Sequence, residues 1–136
     1  MAAIQLRHGV QVRHHETLGR DEACRAGHLS GIEGFAWSGN GTIKAVDVTV
    51  DGGKTWREAV LEEPVLDRCL TRFRYVWDWD GGPAKIASRA VDSGGYVQPT
   101  VAEIAKARAL VGFVQHHNGI FPWSVSEAGE VKNAIA

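Results

Sequence analysis

The chain has 136 residues, of which 44% are hydrophobic, so its length and composition suit one globular domain with a core of its own. Its 15 basic and 16 acidic residues give a net charge of −1, and the sequence lacks the basic patch that nucleic-acid binding needs. No run of about 18 apolar residues is present and the first residues are unlike a secretory signal, so we expect neither a membrane span nor a signal peptide.

Alternating apolar and polar residues predict strands through the first half of the chain. The predicted strands cover residues 4–12, 32–37, 46–50 and 56–61, and a long polar connection fills residues 14–31. Tight turns at residues 38–41 and 51–53 join the last three strands, and the Asp-Gly pair of the second turn is a strong hairpin signal. The segment 35–56 therefore predicts an all-β fold.

The clearest strand follows, because aromatic and charged residues alternate over residues 72–80. Four aromatic side chains share one of its faces: Phe73, Tyr75, Trp77 and Trp79. Such a face needs a deep apolar surface opposite it, which favours two sheets packed on each other. Further strands are predicted at residues 85–91 and 123–125.

One short helix is predicted near residues 100–111. Thr100 and Glu103 have the spacing of a capping box at its start, and Gly112 is a suitable residue for its end. About seven short strands separated by frequent turn signals, with this single helix, predict an immunoglobulin-like β-sandwich.

The histidines and cysteines do not predict a metal site. Four of the six histidines form adjacent pairs, whose side chains point to opposite faces of a strand and so cannot bind one ion together. Cys24 and Cys69 are far apart in the sequence and neither belongs to a CxxC pair. A disulfide between them and two buried or partly buried free thiols both stay open, and we favour the thiols.

Three aspartates near turns, Asp78, Asp80 and Asp92, suggest either paired catalytic carboxylates or caps for nearby backbone N–H groups. We favour the second interpretation, because Asp commonly forms hydrogen bonds to the backbone of turns. Ser38 has no His or Asp close to it in the sequence in any recognised arrangement, so nucleophilic catalysis has little support.

Five tryptophans are more than we expect on a solvent-exposed surface that has no binding role. We predict that Trp37, Trp56 and Trp77 belong to the core. For Trp79 and Trp123, which lie near the ends of elements, a core position and a role in a protein interface both stay open. Three arginines on the polar faces of strands either form local ion pairs or reach a partner subunit: Arg72, Arg74 and Arg89. The interface candidates are therefore Trp79, Trp123 and Arg89.

Several motifs together resemble the C-terminal dimerisation domain of the sulfite oxidase family of molybdenum enzymes. They are Gly34-Phe35-Ala36-Trp37-Ser38-Gly39, Asp51-Gly52-Gly53 with Thr55-Trp56, Trp77-Asp78-Trp79, Ser88-Arg89-Ala90, Gln98-Pro99 and Pro122-Trp123-Ser124-Val125. The tail of the sequence is most similar to the sulfite or sulfane dehydrogenases of bacterial sulfur-oxidising (Sox) systems. The resemblance covers roughly residues 30–133, so we predict that residues 30–136 form this domain, whereas residues 1–29, an N-terminal strand and connection, match poorly.

This resemblance implies an immunoglobulin-like domain that pairs two subunits into a homodimer. In the family, molybdopterin and the cysteine that binds molybdenum lie in a separate upstream domain, so we expect no cofactor and no catalytic residue in this chain. The whole enzyme would oxidise a sulfur oxyanion or a bound sulfane and pass electrons to a c-type cytochrome, with a periplasmic location implied by the family.

The resemblance also implies one arginine at the rim of the substrate pocket, where it helps to bind the oxyanion. Arg108 is the nearest candidate, although an alignment on residues 116–123 puts Ala109 in that column. A second hypothesis stays open, namely a free-standing immunoglobulin-like module that binds another protein and has no enzymatic role. An enzyme that acts alone is the least favoured of the three.

Overall fold

The computed structural model describes residues 2–5, 29–108 and 118–134. These residues form nine strands and one helix: β1 (Ala2–Gln5), β2 (Leu29–Ser38), β3 (Ile43–Thr49), β4 (Arg57–Glu58), β5 (Val60–Leu61), β6 (Thr71–Asp78), β7 (Ala84–Asp92), α1 (Val101–Arg108), β8 (Trp123–Val125) and β9 (Val131–Asn133). The strands form a four-stranded sheet in the order β1-β2-β6-β5 and a five-stranded sheet in the order β4-β3-β7-β8-β9. The predicted all-β sandwich with one short helix is confirmed.

The core lies between the inner faces of the two sheets. Strand β6 shows why: Phe73 is 0% exposed and Trp77 is 7% exposed, whereas Arg72 and Arg74 between them are exposed. Successive residues of a strand point to opposite faces, so this alternation buries one apolar side of β6. The same core holds side chains from the other sheet, among them Val46, Val48, Ile86 and Ala90.

The segment predicted as one strand over residues 56–61 is divided between the two sheets. Strand β4 pairs with β3, and β5 pairs with β6 in the other sheet. Ala59 lies at the crossing, where its N–H donates to the carbonyl of Val46 at 2.7 Å and its small side chain is 4% exposed. The turn at residues 38–41 also carries the chain from one sheet to the other, so it is not a hairpin.

Helix α1 begins with the predicted capping box. The backbone N–H and the hydroxyl of Thr100 donate to Oε2 of Glu103 at 2.7 and 2.8 Å, and the N–H of Glu103 donates to the Thr100 hydroxyl at 3.2 Å. The predicted end at Gly112 lies outside the described residues, as does most of the predicted first strand. None of the described helical residues forms a span long and apolar enough to cross a membrane.

Candidate functional site

The turn after β3 is organised around the carboxylate of Asp51. Its Oδ2 accepts from the Thr55 hydroxyl at 2.6 Å, and its Oδ1 accepts from the Thr49 hydroxyl at 2.7 Å and from the N–H groups of Lys54 and Thr55 at 2.9 Å. These hydrogen bonds, those of Thr55 above all, hold the pKa of Asp51 well below its ordinary value. The Asp-Gly-Gly-x-Thr motif is therefore a structural unit that sets the position of Trp56.

Two glycines complete this turn. Gly52 and Gly53 have φ values of 76° and 93°, a region that side chains with a Cβ rarely occupy. The N–H of Gly52 donates to the carbonyl of Lys85 at 2.9 Å, which ties the turn to the start of β7.

Replacing Gly52 by alanine is expected to lower the free energy of unfolding by about 1–2 kcal/mol, because the left-handed conformation strains a residue with a Cβ. The added Cβ would have ordinary room, since its nearest neighbour is the Cβ of Lys85 at 3.7 Å. Gly31→Ala is the control, because an added Cβ there meets nothing within 4 Å and the φ of Gly31 lies outside that region. Equal losses for the two variants in urea unfolding would contradict backbone strain as the cause.

A groove of about 900 Å³ runs between this turn and helix α1 on the outer face of the five-stranded sheet. We call it the Trp56 groove; its lining includes Trp56, Ala87, Arg89, Val97, Pro99 and Val101. Lys85, Ala87 and Arg89 are alternate residues of β7 and share the face that points away from the core. The far wall is formed by residues 97–105.

Arg89 is held in one orientation on this face. It lies directly opposite Asp47 in the β3–β7 register, and its Nε donates to Oδ2 of Asp47 at 2.9 Å. Its guanidinium carbon also stands 4.5 Å from the centre of the Trp56 ring, the geometry of a cation–π contact. The Arg89 side chain nevertheless keeps a third of its surface exposed, so it is both fixed and accessible.

The segment before α1 presents apolar side chains beside this arginine. Val97 is 47% exposed and Val101 is 43% exposed. The segment is anchored by the buried Gln98, whose side chain accepts from the N–H of Ala90 at 3.2 Å and donates to the carbonyl of Gly119 at 3.1 Å. Exposed apolar side chains on a firmly held backbone are typical of an interaction surface.

The three predicted interface residues differ in their burial and in their surroundings. Trp79 is 4% exposed and its indole N–H donates to the carbonyl of Gly82 at 2.8 Å, so it belongs to the core and offers little surface to a partner. Trp123 is half-buried and packs against the core, with its indole nitrogen buried and unpaired. Only Arg89 of the three lines the Trp56 groove. Arg108 is the last residue of α1, and its side chain lies outside the described part of the structure.

A buried contact that the local sequence did not indicate joins Ser38 to Asp92. The Ser38 hydroxyl donates to Oδ2 of Asp92 at 2.9 Å, and Oδ1 accepts from the N–H groups of Gly94 and Tyr96 at 2.9 and 3.0 Å. Ser38 and Asp92 are both 0% exposed, so a substrate has no access to them. The interpretation of Asp92 as a partner for turn backbone is confirmed, and Asp80 likewise accepts from the N–H of Gly82 at 2.8 Å.

Metal-binding residues are not brought together in the part of the chain that the structure describes, where no group of three His, Cys, Asp or Glu side chains could hold an ion. All six histidines and Cys24 lie outside that part, so the absence of a metal site stays a prediction. Cys69 is a free thiol, as favoured, but it is exposed instead of buried. The reason is its place in the connection between β5 and β6, away from the core-facing strand positions.

Comparisons with known proteins agree with the family resemblance of the motifs described under the sequence analysis. The family model of the Mo-co oxidoreductase dimerisation domain matches residues 8–121. Mitochondrial sulfite oxidase of Homo sapiens is 34% identical over 113 residues, which are 74% of this chain and 20% of that protein. The corresponding enzyme of Rattus norvegicus is 40% identical over 94 residues, 62% of this chain and 17% of that protein.

A solved structure matches nearly the whole chain. The crystal structure of the sulfane dehydrogenase SoxCD from Paracoccus pantotrophus is similar with a TM-score of 0.79 and 41% sequence identity, over 99% of this chain and 33% of that chain. The chain thus spans about a fifth or less of the curated relatives described above and a third of this structural relative.

Proposed function

We propose, from the premise that this chain belongs to the Mo-co oxidoreductase dimerisation domain family, that it holds together two subunits of a sulfite-oxidase-type molybdenum enzyme. The observation that carries the proposal is the 41% identity to a sulfane dehydrogenase over 99% of the chain. Likeness of this extent is more specific than a shared sandwich architecture, which many unrelated functions use. The partner in this proposal is a second copy of the same chain.

The chemistry of the whole enzyme would lie outside this chain. Its relatives are several times longer, and they are named as sulfite oxidases and as a sulfane dehydrogenase. We therefore propose that a molybdenum domain or subunit oxidises a sulfur oxyanion or a bound sulfane, with a c-type cytochrome as the electron acceptor. In this scheme Arg108, at the end of α1, would reach the rim of the substrate pocket.

The described residues do not fit the molybdenum cofactor itself. Cys69, the cysteine among them, stands exposed on the connection between β5 and β6, and no other candidate ligand joins it in a cluster. We therefore assign no step of the oxidation to these residues. Their contribution is to position subunits.

The mass of the purified 136-residue chain in solution tests this proposal. Sedimentation equilibrium is expected to show a stable dimer at micromolar concentration, and metal analysis of the same sample is expected to show no stoichiometric molybdenum. A monomer at every concentration would contradict the pairing role and favour the alternative, a free-standing binding module. Stoichiometric molybdenum would contradict the assignment of the cofactor to another domain.

A further inference from the structure

We infer that Asn40 is a site of spontaneous deamidation, and that its modification loosens the turn between β2 and β3. This inference goes beyond the proposed pairing function and does not depend on it. An asparagine followed by glycine is especially labile, because glycine has no side chain to block the reaction and leaves the backbone free to rotate. The reaction requires water and neither an enzyme nor a cofactor.

The chemistry joins the side chain of Asn40 to the backbone that follows it. The amide nitrogen of Gly41 gives up its proton and attacks Cγ of Asn40, and the side-chain amide group takes up a proton and leaves as ammonia. Water then opens the cyclic succinimide at either of its carbonyl groups. One opening yields aspartate. The other yields isoaspartate, in which the main chain runs through the former side chain and is longer by a methylene group.

The sequence offers four such pairs, in which asparagine or aspartate precedes glycine: Asn40, Asp51, Asp80 and Asn118. Both aspartates are disfavoured, because an ionised carboxylate is attacked far less readily than an amide. Their oxygens are also engaged by the backbone of their own turns. Oδ1 of Asp51 accepts from the N–H of Lys54 at 2.9 Å, and Oδ1 of Asp80 accepts from the N–H of Gly82 at 2.8 Å.

The pair at Asn118 is held by the packing of helix α1. Asn118 is 7% exposed, and the carbonyl of Gly119 accepts from the side chain of Gln98 at 3.1 Å. A Cβ placed on Gly119 would lie only 3.0 Å from Cγ2 of Val101, so the helix packs directly on this backbone. Ring closure requires the backbone to rotate, and here it would first require a local opening of the structure.

The pair at Asn40 has no comparable restraint on its reacting groups. Asn40 is exposed in the turn after β2. Its side-chain amide forms no hydrogen bond with the residues that the structure describes, and the N–H of Gly41 donates to none of them. The structure therefore singles out Asn40 among the four pairs that the sequence offers.

The fold also explains why glycine is retained after Asn40. A Cβ on Gly41 would collide with Oγ of Ser93. This hydroxyl accepts from the N–H of Thr42 at 3.2 Å, so moving it away would cost that hydrogen bond. A bulkier residue at position 41 would slow the reaction but would not fit, and an experiment therefore has to change Asn40.

Isoaspartate would lengthen the main chain between two anchors of the turn. On one side, the Ser38 hydroxyl donates to the buried Asp92 at 2.9 Å and accepts from the N–H of Asn40 at 3.2 Å. On the other side, the carbonyl of Gly41 accepts from the N–H of Arg68 at 3.0 Å. A longer connection cannot keep both anchors in place, so we expect the isoaspartate form to unfold at a lower urea concentration than the unmodified chain.

Incubating the full chain at mildly alkaline pH in water enriched in heavy oxygen tests the site, because product formed during the incubation takes up the label. Peptide mapping by mass spectrometry follows Asn40 and Asn118 in the same sample. In the folded chain, Asn40 is expected to be converted at least about tenfold faster than Asn118, which must wait for local opening. In concentrated urea this protection is lost, and the two rates are expected to agree within about threefold.

Two variants at position 40 separate the chemistry from its consequence. Asn40→Gln keeps a neutral amide but closes a ring much less readily, so it is expected to remove the labelled product from this peptide. Asn40→Asp carries the charge of the aspartate product without the longer main chain, so it is expected to keep the urea midpoint of the unmodified chain. The φ of Asn40 is not positive, so both side chains suit the turn.

The outcomes decide the two parts of the inference separately. Equal conversion of the two asparagines in the folded chain, or faster conversion of Asn118, would overturn the assignment of the site. If the isoaspartate form, separated by ion exchange, unfolds like the unmodified chain, the site stands and the loosening of the turn is overturned. If Asn40→Gln does not fold, the comparison of Asn40 with Asn118 decides alone. None of these results depends on whether the chain forms a dimer.

Discussion

Replacing Phe73 by alanine is expected to lower the free energy of unfolding by about 3–5 kcal/mol, the usual loss for a large aromatic side chain in a core. The Phe73 ring is 0% exposed and lies on β6 between its two neighbours β2 and β5, where Gly34 and Leu61 are its register partners. Alanine would leave a cavity under both neighbours, which regular strands cannot fill by local collapse. Since small domains are stable by only about 5–15 kcal/mol, a large share of the stability would be lost.

Urea unfolding of Phe73→Ala beside Val76→Ala measures this effect. Val76 lies three positions along the same strand, faces outward and is 65% exposed, so its truncation is expected to change the free energy of unfolding by no more than about 0.5 kcal/mol. Similar losses for the two variants would contradict the assignment of opposite faces to these two side chains.

Replacing Asp92 by alanine is expected to lower the free energy of unfolding by about 3 kcal/mol, because hydrogen bonds to a charged group are strong and buried donors without an acceptor are costly. Three donors would lose their acceptor: the Ser38 hydroxyl and the N–H groups of Gly94 and Tyr96. The contact with Ser38 also joins the end of β2 in one sheet to the end of β7 in the other. Asp78→Ala, at an exposed position, is the control and is expected to change stability little.

The same carboxylate predicts a pH dependence. Burial by itself would raise the pKa of Asp92, but the hydrogen bonds from Ser38, Tyr96 and Gly94 outweigh it and lower the pKa below its ordinary value of 3.8. Between the folded-state pKa and that value the unfolded chain binds more protons than the folded chain, so the contribution of Asp92 is present above about pH 4 and is lost as the pH falls through the folded-state pKa. Urea unfolding at several acidic pH values is expected to show a shallower loss for Asp92→Ala than for the unmodified chain. Equal slopes would contradict a lowered pKa.

Features that depend on residues close in sequence were predictable. The alternation of β6 identified its buried aromatic face, because side chains of a strand point to opposite sides in turn. The capping box of α1 and the turn at Asp51 were equally readable, since their hydrogen bonds join residues at most four positions apart. The local ion pair of Arg89 was one of two alternatives, and only the pairing of β3 with β7 supplied its partner, Asp47.

The candidate site was less predictable. The Trp56 groove combines a turn, a strand and a helix that no single stretch of sequence describes, so its apolar wall at Val97 and Val101 was not identified. The position of Trp79 was left open as well. It is a core residue because a tight turn folds back and its indole N–H finds the carbonyl of Gly82, a partner that neither composition nor periodicity reveals.

The segment from Phe35 to Trp56 illustrates the division between the two sources of information. By itself the sequence determined its strands, its turns and its family resemblance, because these depend on side-chain period and on short motifs. Only the tertiary structure decided that β2 and β3 belong to different sheets and that Ser38 meets Asp92, and in the strands that follow the segment it separated β4 from β5 at Ala59. Those features depend on which apolar faces pack together, and this packing involves residues that are far apart in the sequence.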